Sequence, residues 1–561
     1  MIRTLAALLL ALGLSACATM RPAPVTVGIA AINDFHGNLL PPHQAVLVPD
    51  GKDGAVQVPA GGVAYLASAI DSIRAKYPNH LTLSAGDLIS ASPFLATLYN
   101  DEPTIGAMNR IGLDYNALGN HEFDRGRDEL LRMANGGCAQ FTKRKSCAVE
   151  PFEGAKFGML AANTFTEDGK TLFPPYALRS FGKGRGKVTV GIIGLDTTTI
   201  PQLISPALQA GLHWADEADS ANALVPELKA KGADVIVVLI HQGATTANGE
   251  DIGPDSCDNL HGTARDDIRP IIARFDPRID VVISGHTHWT YVCDWPSARD
   301  PSHRFLLTSA GLWGKLVTDI SLTIDPVTHR LVGRKAHNVI VQSEPYRSST
   351  RQIDLAPGYP AFAPRPDIAA YVKRYADAAD SYMNRVVGHL SGRFDKTTGR
   401  EFNMGGPLGK LIADGQLAAT RANGAELAFM NPFGVRVSIV PAADGAVTFG
   451  QISATQPFND TLVTISLTGA EIKEVLEEGL DTVGPEQLLT PSAGFIYHVD
   501  RSFPVGQRIR AMTLNGVALE PTRSYRVTVS TFLSKGGDTF ASFTKGRDPA
   551  PGPVDVAALE A

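Results

Sequence analysis

The stretch Gly119-Asn120-His121-Glu122-Phe123-Asp124 puts an amide, an imidazole and two carboxylates into six residues. Four other segments carry the same kind of side chain: Asn33-Asp34-Phe35-His36-Gly37, Gly86-Asp87, His241-Gln242-Gly243 and Gly285-His286-Thr287-His288. Each ends a predicted strand or begins the loop after it. Runs at 27–32, 81–84, 188–195, 235–240 and 281–284 are rich in Val and Ile and read as buried strands. Helical patterns at 63–76 and 221–231 alternate with them, which indicates a layered α/β unit over 25–341. In such units ligands gather at the carboxyl ends of strands. Asp34 and His36 stand two apart, as do His286 and His288, so an extended backbone points each pair the same way. Asp, Asn and His donors suit first-row divalent metals, and one carboxylate can bridge two ions. Taken singly, each motif is an ordinary turn, cap or structural histidine. Five in order at strand ends argue for a dinuclear site.

The composition fits a folded chain. Of 561 residues, 44% are hydrophobic and 19% charged, which rules out wholesale disorder. The net charge is −6 and no basic stripe stands out, so a nucleic-acid polymer is excluded as the expected partner. A Pro- and Ser-containing stretch near 342–366 has little periodicity and marks a boundary. Residues 367–384 read as an amphipathic helix, with Ile368, Tyr371, Val372, Tyr375 and Ala379 at helical spacing. We therefore take 342–384 as a linker and helix, and 385–550 as a second α/β unit containing a helix at 469–480. No internal repeat is found.

These motifs resemble the calcineurin-like metallophosphoesterases, and in detail the secreted 5′-nucleotidase family. The resemblance implies a four-layer β-sandwich flanked by helices, joined by a hinge helix, here within the linker segment 342–384, to a smaller α/β substrate-binding domain. It implies two divalent ions, with zinc, manganese or cobalt as candidates. Asp34, His36, Asp87 and His288 match the ligands of one ion. Asp87, Asn120, His241 and His286 match those of the other, with Asp87 bridging. His121 matches the catalytic residue that stabilises the transferring phosphoryl group or protonates the leaving oxygen. Asp124, three residues on, would orient that imidazole. The implied reaction is release of phosphate from nucleoside 5′-phosphates by metal-hydroxide attack.

The resemblance continues in the second half. Residues 408–414, Gln456-Pro457-Phe458-Asn459 and 531–538 are similar to the 5′-nucleotidase C-terminal domain. There Phe458 and Phe532 match the pair that sandwiches the base, and Asp538 the acid that binds ribose. Aromatic faces stack on any base. Asn431 and Arg436 match nucleotide contacts, the arginine as a bidentate phosphate partner. Pro432 and Phe433 replace glycines of the family pattern, which normally permit close backbone approach. Arg400 matches the family's other phosphate-binding arginine only if 402–407 is a local insertion. Two enzyme alternatives keep the site: a UDP-sugar or 2′,3′-cyclic-nucleotide hydrolase, and a thiosulfohydrolase, against which the aromatic pair argues. A surface-anchored interaction protein on a relic enzyme fold is the alternative from another class, and the complete donor set argues against it.

Arg3 precedes a ten-residue apolar run at 5–14, too short at ~1.5 Å per residue to cross a ~30 Å hydrocarbon core. It reads as a signal peptide. Leu14-Ser15-Ala16-Cys17 resembles the bacterial lipobox, so 1–17 would be a leader and Cys17 a lipid anchor. The expected location is periplasmic or cell-surface, tethered to a bacterial membrane, the outer one by preference. Cys138, Cys147, Cys257 and Cys293 remain, an even number that permits three disulfide connectivities. Zinc is the rival reading for them, without a Cys-x-x-Cys spacing to support it.

Overall fold

A computed structural model gives the fold. It describes residues 22–49, 54–204, 208–246, 253–262, 267–347, 352–396, 405–458, 460–480 and 486–561. Cys17 with its lipobox, and Arg400, lie outside the described residues. Two six-stranded sheets form the first unit. The chain first lays down β1 (Val25–Ile32), β2 (Asn79–Ser84), β3 (Tyr115–Ala117) and β4 (Gly158–Leu160). It then builds β5 (Tyr176–Phe181), β6 (Val188–Leu195), β7 (Val235–Ile240), β8 (Val281–Ser284), β9 (Thr290–Pro296) and β10 (Arg304–Ala310). Last come β11 (Leu316–Asp325) and β12 (Arg330–Ile340), which return to the first sheet.

The first sheet runs β12-β11-β1-β2-β3-β4 and the second β9-β10-β8-β7-β6-β5. Neighbours from β1 to β4 are parallel, as are those through β6, β7, β8 and β10. Antiparallel strands close the edges. Alternate residues explain the uninterrupted apolar runs. Val190, Ile192, Val235, Val237 and Leu239 meet Val27, Ile29 and Leu81 between the sheets. Ile193, Leu195, Ile236 and Val238 face outward, beneath helix residues Ala218, Ala221, Val225 and Leu228. Both faces of β6, β7 and β8 are buried, so no polar alternation is left to see there.

Helix α1 (Val63–Arg74) covers the outer face of the first sheet, together with α2 (Glu102–Ile111). Helix α3 (Glu217–Ala230) covers the second sheet, which completes the four layers. Helix α4 (Pro366–Met383) leads to the second unit but packs on the first. Its buried residues are Ile368, Tyr371, Val372, Tyr375 and Ala379, the stripe read from spacing. Gly106 of α2 permits the close fit: a Cβ there would lie 1.9 Å from the Tyr371 hydroxyl. At the far end of α4, Tyr382 stacks on Phe94 and meets Phe449 edge-on, at ring separations of 5.7 and 4.9 Å. The second unit is a five-stranded sheet. Its strands are β13 (Leu427–Met430), β14 (Thr461–Thr468), β15 (Thr490–Pro491), β16 (Ser524–Ser530) and β17 (Arg547–Val554). They run in the order β15-β13-β16-β14-β17, with α5 (Gly406–Thr420) and α6 (Gly469–Glu478) against them.

Of the three connectivities, the chain takes Cys138–Cys147 and Cys257–Cys293. The bridges span 9 and 36 residues. Loop-closure entropy gives the longer one the larger effect, about 4 kcal/mol against about 2.5 kcal/mol. A Cys257→Ala/Cys293→Ala protein should therefore lose more stability in urea unfolding than Cys138→Ala/Cys147→Ala. Equal losses, or the reverse order, would show that loop length does not set the effect.

Candidate active site

The donor residues follow the carboxyl ends of five strands drawn from both sheets. Asp34 and His36 follow β1, Asp87 follows β2, and Asn120 and His121 follow β3. His241 follows β7, and His286 and His288 follow β8. The two sheets thus bring their ligand loops to one shared edge. His288 Nε2 lies 3.4 Å from Asp34 Oδ1 and 3.3 Å from His36 Nε2. Asp87 Oδ2 lies 3.1 Å from His241 Nε2 and 3.7 Å from His36 Nε2, so one carboxylate oxygen stands between two histidines. Two metal-competent groups emerge, Asp34/His36/His288 and Asp34/Asp87/His241. His286 donates its backbone N–H to both Asp34 oxygens, and its ring centroid is 5.1 Å from that of His241.

The chemistry of this cluster fits divalent cations. Asn120 Oδ1 and His241 Nε2 are buried without a hydrogen-bond partner among the described groups. The Nδ1 atoms of His36 and His241 lie 3.0 and 2.8 Å from the carbonyls of Ser90 and Ala85. A ring N–H donated there leaves Nε2 facing the cluster as a lone-pair donor, the usual arrangement behind a metal. Burial raises the pKa of Asp34 and Asp87, but the imidazoles, His288 for the first and His241 for the second, outweigh it and hold both below the ordinary range. Burial drives His36 down to about 3, which makes it a neutral ligand.

The backbone here is strained. Asp34, His36, Asp87, His286 and His288 have φ of 48°, 47°, 51°, 71° and 64°. Residues with a Cβ rarely adopt this left-handed conformation, which costs roughly 1–2 kcal/mol each. The extended backbone expected at the Asp34/His36 and His286/His288 pairs is therefore not what aims them: both pairs lie past their strands, in left-handed backbone. At Gly119 a Cβ would sit 2.3 Å from Asp87 Oδ1.

Sequence reasoning missed two supporting residues. The Asn33 amide donates to Asp34 Oδ2 at 2.7 Å and to the Gly311 carbonyl at 2.6 Å. Buried Glu122 accepts the backbone N–H groups of Asp87, Leu88 and Gly119 at 2.9, 2.8 and 2.7 Å. Both sit inside the quoted motifs, and their adjacency to ligands was the available signal.

A second wall faces the cluster. His121 Nδ1 is 2.7 Å from Asp124 Oδ2, and its backbone N–H donates to Asp87 Oδ1 at 2.9 Å. Burial opposes a charge on this ring, but Asp124 and Asp87 outweigh it and lift it to about 9. Phe458 of the second unit lies over His121, with centroids 6.3 Å apart and planes 23° from parallel. Arg436 sits 5.6 Å from the Phe458 ring centre, and Asn431 donates to Asp538 Oδ2 at 2.7 Å. Asn120, His121 and Asp124 share one cavity of about 230 Å³ with Asn431, Arg436, Phe458, Phe532 and Asp538. Phe433 also lines it. The site residues within the described chain thus converge from both halves.

Residues 28–290 match the calcineurin-like phosphoesterase family, and 386–545 match the 5′-nucleotidase C-terminal domain. The chain joins a calcineurin-like phosphoesterase domain to a 5′-nucleotidase C-terminal domain. It is 29% identical over 540 residues to endonuclease YhcR of Bacillus subtilis, covering 95% of this chain and 39% of the relative. It is 26% identical over 556 residues to the cell wall protein Lmo0130 of Listeria monocytogenes, covering 93% and 64%. It thus spans less than two thirds of either relative's length. A solved structure, a 5′-nucleotidase precursor from Thermus thermophilus, superimposes with a TM-score of 0.72 at 26% identity, over 95% of each chain. No helix among the described residues of the phosphoesterase is long and apolar enough to cross a membrane.

Asp460 also lines the cavity, its Oδ1 3.5 Å from the Thr531 hydroxyl. Burial, then the nearby Asp124 carboxylate, lifts it from 3.8 to about 6. A carboxyl raised on folding favours the folded state only while protonated. The folded protein loses that stability as pH climbs from below 4 through 6. Asp460→Asn should therefore stabilise the fold at pH 8, by at most about 3 kcal/mol, and bring no gain at pH 4. Thermal unfolding at the two pH values checks this. A gain of equal size at both would mean that Asp460 does not titrate between them.

Proposed function

We propose that this phosphoesterase is a nucleotide phosphohydrolase whose two units grip opposite ends of one substrate. The observation that carries the reading is the shared cavity: Asn120, the donor that reaches it, stands with His121 and Asp124 on one wall, and paired aromatics and Asp538 on the other. Asp34, His36, Asp87 and His288 would hold one divalent ion, and Asp87, Asn120, His241 and His286 a second, with Asp87 between them. Such ions supply Lewis-acid polarisation of the phosphoryl group and lower the pKa of water. The ions belong to the zinc, manganese or cobalt class that these donors suit.

The chain's own residues do the rest. With Nδ1 held by Asp124, His121 keeps Nε2 to donate toward a phosphoryl or leaving oxygen, and its charge favours the developing negative charge. Arg436 offers a two-pronged partner for phosphate. Phe458 and Phe532 offer faces for the base, and Asp538, steadied by Asn431, accepts ribose hydroxyls. Phosphate and base held by different units require those units to face each other, with α4 as the hinge. Closure would exclude water from the cluster. The leader and lipobox reading places the enzyme in the periplasm or at the cell surface, tethered through Cys17. The name of the Listeria relative, a cell wall protein, accords with that.

Hydrolysis of a nucleotide panel with added divalent ions, alongside metal analysis of the purified protein, tests the reading. Asp87→Ala should abolish hydrolysis and lower bound metal, whereas His121→Ala should keep metal and lose most turnover. Unchanged turnover in His121→Ala would remove its catalytic role. Phe458→Ala and Phe532→Ala should each weaken nucleotide hydrolysis by about 1–3 kcal/mol, the worth of one base stack. A small aryl phosphate, which needs only the donor wall, should be nearly unaffected. Equal losses on both substrates would make the pair packing residues and leave the nucleotide unsupported.

A further inference from the structure

The end of the sandwich opposite the donor cluster is basic, and we propose that it docks on an anionic lipid surface. The inference rests on the reading of Cys17 as a lipid-bearing residue. Strands β6 and β7 begin at this end, with Val188 and Val235, and β1 begins there with Val25 beside Ile324 of β11. Pro22, Arg185, Lys187, Lys231, Val327 and His329 line one shallow depression. The chain therefore enters the fold in the middle of this face.

The acids here are buried or paired. Asp234 is buried, 2.7 Å from His329 Nδ1, and accepts the Thr189 N–H at 2.6 Å. Glu227 pairs with Lys231 at 2.7 Å, and buried Asp325 accepts the Val327 N–H. Exposed Lys183, Arg185, Lys187 and Arg330 form no ion pair with any described carboxylate. Val327, half exposed, adds an apolar contact at the rim. What this face presents to solvent is net positive charge around an apolar point.

Distance makes the partner specific. Four residues separate Cys17 from Pro22. Five Cα steps reach at most about 18 Å, which keeps the face near any membrane that holds Cys17. The attraction of basic residues to anionic headgroups acts over about a Debye length, ~8–10 Å. The eight residues of β1 then carry the donor cluster roughly 26 Å farther out. Docked this way, the enzyme turns its cavity away from the lipid and toward dissolved substrate.

Vesicle partitioning of the full chain carrying Cys17→Ser tests this. The apolar run at 5–14 contributes alike to all vesicles, so the readout is the preference for phosphatidylglycerol-containing vesicles over phosphatidylcholine. At low salt that preference should be about tenfold or more. It should vanish in 0.5 M NaCl and in the added variant Arg185→Glu/Lys187→Glu, with aryl phosphate hydrolysis unchanged. Equal partitioning on the two vesicle types, or a preference that survives the double reversal, overturns the proposal. Intact mass of the unsubstituted membrane-derived protein reports lipid on Cys17 separately. Lipid without a phosphatidylglycerol preference would sink the docking face and leave the tether. A preference without lipid would do the opposite.

Discussion

Two carboxylates, Asp34 and Asp87, sit fully buried within reach of the same histidines. An ionised carboxylate taken from water costs several kcal/mol unless the protein replaces its hydration. Much of the local architecture is that replacement. Backbone N–H groups of His286 and His121 point at Asp34 and Asp87, the Asn33 amide braces Asp34, and the His288 and His241 rings lie against the two carboxylates. Glu122 gathers the N–H groups of Asp87, Leu88 and Gly119, which fixes the two loops against each other. Five ligand positions in left-handed backbone add a further cost that the packed sheets beneath must sustain.

Because donors come from both sheets, the site is only as rigid as the core between them. That core is dry and interlocked, with Ile29, Leu81, Ile192, Val237 and Leu239 all fully buried. The second unit is attached differently. Helix α4 is built into the first unit along its length, and it meets the second near its end, where Tyr382 contacts Phe449. Phe94 stacks on the same tyrosine from the first unit. At this joint the three rings pack together, with Phe94 also among Leu408, Ile412 and Val435 of the second unit.

The parts of the fold legible in sequence were those with extreme burial. Strands at 188–195, 235–240 and 281–284 were read to the residue because both faces are apolar. Helix α3 was read from 221 but begins at Glu217, since its first turn is polar and capped by the Asp216 side chain. Strands β3 and β4, three residues each, carry too little pattern to be seen. Asp34, His36, Asp87, His241 and His288, which the fold gathers into two metal-competent groups, were legible as ligand-type side chains at strand ends. Asn33 and Glu122 were not, because their work is to hold other residues. Asp460 was hidden for another reason. Its perturbation comes partly from Asp124, a residue more than three hundred positions away in the facing unit.

The replacement of glycines by Pro432 and Phe433 illustrates how local chemistry can change while the polar contacts persist. Residues Pro432–Gly434 form one tight helical turn after β13. Asn431 before the turn still reaches Asp538, and Arg436 after it still lies against Phe458. Proline is tolerated at the start of such a turn, where its missing N–H has no partner to lose. Phe433 then turns its ring to the cavity that Phe458 and Phe532 already line. A third aromatic on that wall narrows the cavity. On the nucleotide reading proposed above, selection at this position would act through shape: the ring would enlarge apolar contact for substrates that fit beside it and exclude bulk that glycines would admit.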